Sequence, residues 1–444
     1  MDRRMFSKAT RAVGIDVGSH SVKVVALSKA GGRYRIEHAG LCPIDPAQLA
    51  EDPVEAQGAA LREALRTVPL SRTIKVGALP GQTVVIRYPR LPDQADAELA
   101  QAMDREASRN LPFELSEVYV DWTVLDRTTE ADERVVKTVL VAAKHELIDT
   151  RVQIADAAGI QFNMLSVDSL ALADAAEGCD FLRVGETVAL IDLGVTSTII
   201  HFVRDGISSF YRDVNWGARE LTQALMKTYR CDAAAAEQRL RDSVHATETA
   251  PAPDSGPTGQ PARATMDAFD EIGALDDLDS LDAPSSPSSA PDAPGALDAL
   301  DASDDSGGSL LDPLEEEVGP GLARPLAPSR RPAPVQQNQG PSQDETLHAP
   351  LSRLVTEVRR SFDYYEQQLY ERPVDRVVLS GGVAHLPFVA EVLREELGFE
   401  QIEVADPSQS ALLLGSDRNI APLLAQPAQF MVAVGLAARG AAEL

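Results

Sequence analysis

Short and long apolar runs alternate along the chain, and their spacing predicts its elements. Short runs that are rich in β-branched residues and end in turn residues predict strands. Such strands follow one another in two places, at Val13–Asp16, Val22–Leu27 and Tyr34–Pro43 and again at Val188–Asp192, Thr198–Val203 and Ile207–Asp213. Helices are predicted after them, at about Ala47–Arg66, from just after Gly217 to about Tyr229, and at Ala233–Arg241. The chain is therefore predicted to contain two copies of one three-strand meander.

The segment between the two copies has a different pattern. Residues 75–160 predict a strand, a helix, two strands and a helix, at Val84–Tyr88, Asp96–Arg109, Val118–Leu125, Val135–Ala142 and His145–Ala158. This order predicts a compact α+β insert. Residues Met164–Ala176 have helical spacing and predict a helix that returns to the first copy.

The second copy is followed by a long polar segment. Residues 246–346 are rich in Pro, Ser, Ala and Asp and have no sustained apolar period, which predicts a disordered insertion. Elements resume with a helix at Leu351–Tyr370, a strand at Arg376–Leu379, a helix at Ala384–Leu397 and a last apolar helix at Met431–Arg439.

Composition excludes several classes of function. The net charge of the 444-residue chain is −27, and 20 of its 68 acidic residues lie at 246–346, so nucleic acid is not expected as a ligand. Its three cysteines are far apart and predict neither disulfides nor a zinc site. The first twelve residues lack the apolar core of a signal peptide, and no apolar run approaches the roughly 18 residues of a membrane span. A soluble cytoplasmic protein without direct membrane insertion is expected. The sequence also lacks GxSxG, HExxH and GxxxxGK[ST] motifs.

One loop pattern occurs in both meanders. Val13–Ser21 aligns with Ala189–Ser197 without a gap, and each ends in Asp-x-Gly-x-x-Ser. The Gly allows backbone N–H groups to approach an anion, the hydroxyls can donate to phosphate oxygens, and the Asp can hold a hydrated divalent cation. A single Asp-x-Gly turn is commonly structural only, but two such loops that face one another predict a phosphate-binding cleft.

A third glycine motif follows a later strand. Ser380-Gly381-Gly382 comes between the predicted strand at Arg376–Leu379 and a helix. Such a turn can admit the nucleoside or α-phosphate part of a nucleotide, although an ordinary strand-to-helix turn uses the same residues.

These three motifs resemble the phosphate-1, phosphate-2 and adenosine motifs of the actin/DnaK/sugar-kinase ATPase superfamily. Within it, the chain resembles the PilM family of type IV pilus assembly over about residues 13–241 and 347–439. The residues that carry this closer likeness are Leu79-Pro80-Gly81, Glu106 with Leu111-Pro112-Phe113, Trp216–Thr222, Glu357–Tyr365 and Val432–Ala437.

The resemblance implies an α/β fold of two lobes, the actin-like ATPase fold of duplicated ribonuclease-H-like domains. The first lobe would comprise residues 13–74 and 161–184, with the small α+β insert subdomain at 75–160. The second lobe would comprise residues 185–245 and 347–440, interrupted by the long disordered acidic insertion at 246–346. ATP and Mg²⁺ would bind in the cleft between the lobes.

The resemblance also implies roles for individual residues. Asp16 and Asp192 would order Mg²⁺ through water. The other residues assigned to the nucleotide are Gly18, Ser19, His20, Ser21, Lys23, Gly194, Thr196, Ser197, Gly217, Glu237, Gly381 and Gly382. Of these, Lys23 and the hydroxyls would contact phosphates, Gly381 and Gly382 would admit the adenosine, and Glu237 would contact the ribose. Leu240 stands where a Lys is expected near Glu237, with Arg241 alongside.

Hydrolysis needs a polar group that positions the attacking water. The predicted helix after Val167 offers Asp168 as the candidate catalytic residue, with Ser169 beside it. A carboxylate there is equally typical of a helix N-cap. Slow ATP hydrolysis, or a nucleotide used as a structural ligand, is expected.

PilM-like proteins are understood to bind the N-terminal cytoplasmic tail of a bitopic inner-membrane partner, PilN. The resemblance therefore implies a peripheral location at the inner membrane, a tail-binding groove formed by the insert with the first lobe, coupling to pilus motor ATPases, and scope for oligomers.

Three alternative functions fit the sequence less well. A cell-division tether of the FtsA kind would end in a basic amphipathic helix, whereas this sequence ends at Ala441–Leu444. A small-molecule kinase would need larger insertions and a base over a hydroxyl. A dinucleotide-binding dehydrogenase would need GxGxxG spacing, which Gly14-x-Asp16-x-Gly18 lacks.

Overall fold

The computed structural model describes residues 9–130, 133–248 and 342–444. The predicted acidic insertion at 246–346 lies outside the described residues except at its two ends.

The first meander forms as predicted and belongs to a six-stranded sheet. The first elements are β1 (Arg11–Val17), β2 (Ser21–Ala30), β3 (Arg33–Pro43), α1 (Pro46–Glu51), α2 (Pro53–Ala64) and β4 (Thr73–Leu79). β1 to β3 are antiparallel, and β4 is parallel to β1. The single helix predicted over Ala47–Arg66 is wrong. Asp52 ends α1 and begins α2, because its side chain accepts hydrogen bonds from the N–H groups of Val54 and Glu55.

The insert is a small antiparallel sheet with one helix beside it. Its elements are β5 (Val84–Arg87), β6 (Arg90–Pro92), α3 (Asp96–Asn110), β7 (Val118–Glu130) and β8 (Glu133–Lys144). β8 is central, because it pairs with β7 on one side and with β5 and β6 on the other. The chain then passes directly from β8 into α4 (His145–Ala157), which packs on α2 and β4 of the first lobe.

The sequence prediction is wrong at the return from the insert. Met164–Val167 forms strand β9, which pairs in parallel with β4 at the sheet edge, and helix α5 (Asp168–Gly178) begins only at Asp168. The predicted helix over Met164–Ala176 therefore starts one short strand too early. β4 itself begins at Thr73 and continues through Leu79, within the range that the sequence assigns to the insert.

The second half repeats the architecture of the first. Its elements are β10 (Thr187–Leu193), β11 (Thr198–Arg204), β12 (Ile207–Val214), α6 (Ala218–Tyr229), α7 (Ala233–Glu248), α8 (Gln343–Asp363), β13 (Arg376–Ser380), α9 (Pro387–Leu397) and β14 (Ile402–Val404). Its strand order is β12-β11-β10-β13-β14, and the first sheet contains the matching order β3-β2-β1-β4-β9. In each sheet an antiparallel meander is extended by two parallel strands.

The end of the described chain returns to the first sheet. The last elements are β15 (Leu413–Leu414), α10 (Asp417–Ala425) and α11 (Met431–Ala442). β15 pairs with β3, and α11 packs on β1, β2 and β4. These residues fall in the range that the sequence assigns to the second lobe.

Two helices, α5 and α11, lie between the two sheets. One buried cluster joins Val25 of the first sheet, Leu190 of the second, Leu172 of α5 and Ala437 of α11. Gly435 lets the helices cross closely, since a Cβ there would lie 1.7 Å from the carbonyl oxygen of Ala171. The core thus holds the two sheets in a fixed relation.

Among the described residues, no single helix is long and apolar enough to cross a bilayer. The pair formed by α10 and residues Pro427–Ala442, bent by 103°, meets the length and composition requirement together.

Candidate functional site

The two meanders make the same turn at corresponding positions. The N–H of Gly18 donates to the carbonyl of Ser21 at 3.2 Å, and the N–H of Gly194 donates to the carbonyl of Ser197 at 3.0 Å. The turns face each other across a cleft, where the hydroxyl oxygens of Ser19 and Thr196 are 3.5 Å apart. The matching loop sequences therefore produce two opposed turns of one geometry.

The aspartates of these turns have different partners. Asp16 lies directly opposite Lys23 in the β1–β2 register, and the Lys23 ammonium is 3.2 Å from its carboxylate. The residue opposite Asp192 is Ile199, which is buried. Asp192 instead accepts a hydrogen bond of 2.7 Å from the Ser380 hydroxyl. The first loop thus carries a paired cation and carboxylate, whereas the carboxylate of the second loop is held by the glycine motif.

Ser380 is followed by a turn that only glycine can make. Gly381 has a φ of +94°, and a Cβ there would lie 2.3 Å from the backbone oxygen of Leu193. Its N–H donates to the carbonyl of Ala428 at 3.0 Å. A Cβ on Gly382 would meet no atom within 4 Å. The turn therefore presses against the end of β10 while Gly382 faces open space.

Gly217 packs against the backbone of the second loop. It precedes α6, and a Cβ there would lie 2.3 Å from the carbonyl oxygen of Val195. The next two N–H groups, of Ala218 and Arg219, donate to the carbonyls of Gly194 and Val195 at 3.0 Å each. The start of α6 thus fixes the loop, and these two donors are already used.

One cavity of about 670 Å³ connects these parts. The predicted site residues that line it are Asp16, Gly18, Ser19, His20, Ser21, Lys23, Asp168, Asp192, Gly194, Thr196, Ser197, Glu237, Gly381 and Gly382. Its volume lies within the ordinary range for small-molecule sites. The fold therefore brings residues from both sheets and α7 to one cleft.

Glu237 stands at the edge of this cleft with a neighbouring cation. Its carboxylate is 3.8 Å from the Arg241 guanidinium one helical turn later, and both side chains are 40% or more exposed. Such an exposed pair contributes little to stability. Leu240, between them, is buried in the core of the second lobe.

Asp168 both begins α5 and lines the cleft. Its carboxylate accepts hydrogen bonds from the N–H groups of Gly81 at 2.9 Å and of Ser169 at 2.6 Å. Burial raises the pKa of this carboxyl well above its usual value, and the nearby Asp213 and Asp16 carboxylates raise it further. The two backbone donors lower the pKa in part, because they stabilise the ionised form.

Asp213 is a second half-buried carboxyl, and sequence reasoning did not identify it. A Cβ added to Gly81 would lie 2.7 Å from one Asp213 oxygen and 3.0 Å from one Asp168 oxygen, so the two carboxyl groups meet over this glycine. Burial raises the pKa of Asp213 from 3.8 to about 6. Three separate parts of the chain, the end of β12, the start of α5 and the loop after β4, make this contact.

Asp213→Asn should stabilise the protein at neutral pH. Because the folded-state pKa is raised to about 6, the folded state binds the proton more tightly than the unfolded state, and stability falls as pH rises through that window. Removing the charge should increase the free energy of unfolding at pH 8 by about 1–3 kcal/mol. Chemical denaturation of the wild type and Asp213→Asn at pH 4.5 and pH 8 measures the difference in their free energies of unfolding at each pH. An equal stability difference at the two pH values would show that the Asp213 proton has no part in it.

Arg151 lines the cleft, and the sequence motifs did not indicate it. It lies on α4, is only 8% exposed, and donates a hydrogen bond of 3.2 Å to the Val17 carbonyl in the first loop. It occupies the apolar stripe of α4 with Ile154 and Ala155. A charged residue at such a position was the signal that could have identified it.

A larger cavity of about 1060 Å³ lies between the insert and β12. Residues of both signs line it, including Arg87, Arg212, Asp205 and Glu371. Its lining includes Gln82, which also borders the smaller cleft. The sequence predicts a groove between the insert and the first lobe, whereas this cavity is bordered by the insert and the second lobe.

Comparison with known proteins agrees with this geometry. The sequence matches the family of type IV pilus assembly protein PilM over residues 14–249 and 335–441. A solved PilM–PilN type IV pilus biogenesis complex has a TM-score of 0.64 at 20% identity, covering 97% of this chain and 98% of that one. Weaker similarity is found to the ethanolamine utilization protein EutJ from Carboxydothermus hydrogenoformans, with a TM-score of 0.46 at 11% identity over 97% and 90% of the chains. An archaeal actin homolog in complex with ADP has a TM-score of 0.39 at 12% identity over 97% and 99%. The chain therefore belongs to the PilM family of type IV pilus assembly proteins, and its two-lobed α/β fold is the one seen in the PilM–PilN complex.

Proposed function

We propose that this protein binds Mg-ATP in the cleft between its two loops and docks the N-terminal cytoplasmic tail of a PilN-like inner-membrane partner. The observation that carries the proposal is the pair of opposed, identically built turns, with Asp16 and Asp192 lining one cavity together with Gly381. Through that partner the protein would be held at the inner membrane and linked to the pilus motor.

The donor set of the cleft suits a nucleotide with a hydrated cation. Within the described ranges, no group of three or more His, Cys, Asp or Glu side chains could hold a metal by itself. Two carboxylates on opposed loops suit a Mg²⁺ ion that keeps its waters and is also held by phosphates. When bound, the cation would neutralise phosphate charge.

The chain's own residues would bind and orient the phosphates. Lys23 lies in the cleft beside Asp16, and the Ser19 and Thr196 hydroxyls meet at the mouth between the loops. Ser380 holds the Asp192 carboxylate in place by a hydrogen bond. These contacts position a ligand before any reaction takes place.

Turnover is proposed to be slow. Asp168 is the cleft carboxyl nearest the start of α5, and it is already held by two backbone N–H groups. Both donors use the same oxygen, Oδ1, so the carboxyl has fewer acceptor sites left to orient an attacking water. The nucleotide would then act mainly as a ligand that stabilises one conformation, by about 3 kcal/mol at 100 times its dissociation constant.

An apolar patch on the insert is the proposed docking surface for the partner's tail. We define the insert patch by Phe113, Leu115, Tyr119 and Val152. Leu115, Tyr119 and Val152 are 44%, 58% and 44% exposed. The Phe113 ring lies under the Lys144 ammonium at 4.7 Å, and the Tyr119 ring lies 4.4 Å from that of His145. Exposed aromatic and aliphatic side chains of this kind are typical anchors for a peptide.

The patch also lies at the junction of the insert with the first lobe. Val152 is on α4, two turns after His145 and on the same helix face, and α4 packs on α2 of the first lobe. The related solved structure is a complex of PilM with PilN. The proposed surface would therefore extend from the insert sheet to α4, the helix that packs on the first lobe.

Tyr119→Ala should weaken binding of the tail peptide at least tenfold. The exposed ring loses its contact area with the peptide, while the fold loses little because the side chain is already in solvent. Fluorescence anisotropy with a labelled peptide of the PilN-like partner's first residues, with and without Mg-ATP, measures the affinity.

Tyr370→Ala is the matched control, because Tyr370 is 89% exposed on the second lobe. It should leave the peptide affinity unchanged. Equal affinities for wild type and Tyr119→Ala would place the docking surface elsewhere.

A further inference from the structure

The Arg151 guanidinium is a nearly buried cation that faces the cleft. Its side chain lines the cavity, and the residue is only 8% exposed. One hydrogen bond joins it to the Val17 carbonyl at 3.2 Å. In the part of the chain that the structure describes, no carboxylate forms an ion pair with it. Two acidic groups that act on it electrostatically, Asp16 and Asp168, also line the cleft.

A buried charge of this kind needs a counter-charge. An ionised group that leaves water loses much of its hydration, and a single neutral carbonyl replaces only part of it. The planar guanidinium has five N–H donors and suits bidentate contact with phosphate or carboxylate. An anion in the cleft would supply the missing charge and acceptors.

The neighbours of Arg151 indicate which part of a nucleotide it would meet. Next to the glycine turn, the Ser380 hydroxyl donates a hydrogen bond to Asp192. The charges of Lys23 and Asp16 both act on the Asp192 carboxyl. Asp16 and Asp168 in turn both act on Arg151. Arg151 therefore lines the cleft together with Asp16, Lys23 and Asp168, whereas the glycine turn of the proposed nucleoside site belongs to the second lobe.

We propose that Arg151 binds the terminal phosphate of ATP and so makes the cleft distinguish ATP from ADP. This inference rests on the proposed function, because it requires that the cleft bind a nucleotide. Arg151 would be a specificity-determining residue supplied by α4, in addition to the two phosphate loops.

The position of Arg151 would also connect the nucleotide to the insert. α4 begins at His145, directly after β8, the central strand of the insert sheet. A contact between Arg151 and a terminal phosphate would therefore hold the helix that carries Val152 of the insert patch. Nucleotide state and tail binding would share one rigid element.

The alternative is that Arg151 only ties α4 to the first loop through Val17. A purely structural tie would affect ATP and ADP affinities equally. The ratio of the ATP affinity to the ADP affinity in Arg151 variants therefore distinguishes the two roles.

Isothermal titration of wild type, Arg151→Gln and Arg151→Lys with Mg-ATP and Mg-ADP tests the proposal. Arg151→Gln should weaken ATP binding at least tenfold and ADP binding less than threefold, and Arg151→Lys should fall between. The matched control is Arg62→Gln, because Arg62 also donates to a backbone carbonyl, that of Ala157 on α4, but does not line the cleft. It should change neither affinity.

Hydrogen exchange of the wild-type protein gives an independent readout if Arg151→Gln fails to fold. Amides of α4 should be protected at least threefold more with a non-hydrolysable ATP analogue than with ADP. Equal losses of ATP and ADP affinity, or equal protection of α4 by both nucleotides, would overturn the role of Arg151. A wild-type protein that binds neither nucleotide would overturn the proposed function itself.

Discussion

Asp192→Ala and Asp16→Ala should each weaken Mg-ATP binding at least tenfold, which corresponds to about 1.4 kcal/mol. The two carboxylates lie on opposed loops of one cleft, and neither loop alone offers a second carboxylate to a hydrated cation. Removing either one leaves the phosphate charge less neutralised. Isothermal titration of each variant with ATP, in the presence and absence of Mg²⁺, measures the effect.

The two variants should differ in how much ATP binding remains without Mg²⁺. Asp16→Ala removes the partner of Lys23, which can then approach the phosphates directly. Asp192→Ala removes the acceptor of the Ser380 hydroxyl. We therefore expect Asp16→Ala to retain more Mg-independent ATP binding than Asp192→Ala.

Asp93→Ala is the control for these variants. Asp93 is also a carboxylate in ion pairs, with Arg127 and Arg134, but these pairs lie in the insert away from the cleft. It should bind Mg-ATP as wild type does. Unchanged Mg-ATP affinity in both Asp16→Ala and Asp192→Ala would contradict the assignment of the cleft.

The meanders and their turns could be predicted because they depend on neighbours in sequence. A strand that ends in Asp-x-Gly-x-x-Ser and resumes at once must pair with its successor. The Gly18 and Gly194 turns therefore follow from local spacing. The strand order of the two sheets does not follow from local spacing, because β4 and β13 join their sheets by parallel pairing with the sequence-distant strands β1 and β10.

The boundary between β9 and α5 could not be predicted from periodicity. Leu165, Ser169 and Leu172 fit a helical spacing, so the run from Met164 looks like one helix. Its first residues pair instead with Val76–Leu79, which are distant in sequence. A short strand at a sheet edge has no periodic signal of its own, because long-range pairing decides its structure.

The residues of the site also divide into those that local sequence motifs predict and those that depend on long-range packing. The loop residues were predicted because their motifs are contiguous, and they meet in one cleft. Asp213 and Arg151 were missed because each stands alone in its element, at the end of β12 and in the apolar stripe of α4. Only the packing of the lobes and of α4 brings them to Asp168 and the first loop.

Gly435→Ala should destabilise the protein by more than about 3 kcal/mol, beyond the usual range for overpacking. The added Cβ would lie 1.7 Å from the carbonyl oxygen of Ala171 and 2.9 Å from the amide nitrogen of Ala175. Both atoms belong to the backbone of α5, so no side chain can rotate away. The two helices must separate, and the core between the sheets opens with them. Thermal and chemical denaturation measure the loss.

Gly178→Ala is the matched control for this helix crossing. Gly178 is the last residue of α5, and a Cβ there would meet its nearest atom, the Cβ of Ala438 on α11, at an ordinary 3.8 Å. It should leave stability unchanged or raise it by up to about 1 kcal/mol, because Ala favours the helix over Gly. Since α5 begins at Asp168, any folded Gly435→Ala protein should also bind Mg-ATP more weakly than Gly178→Ala. If Gly435→Ala were as stable as Gly178→Ala, α5 and α11 could not cross as closely as the structure shows.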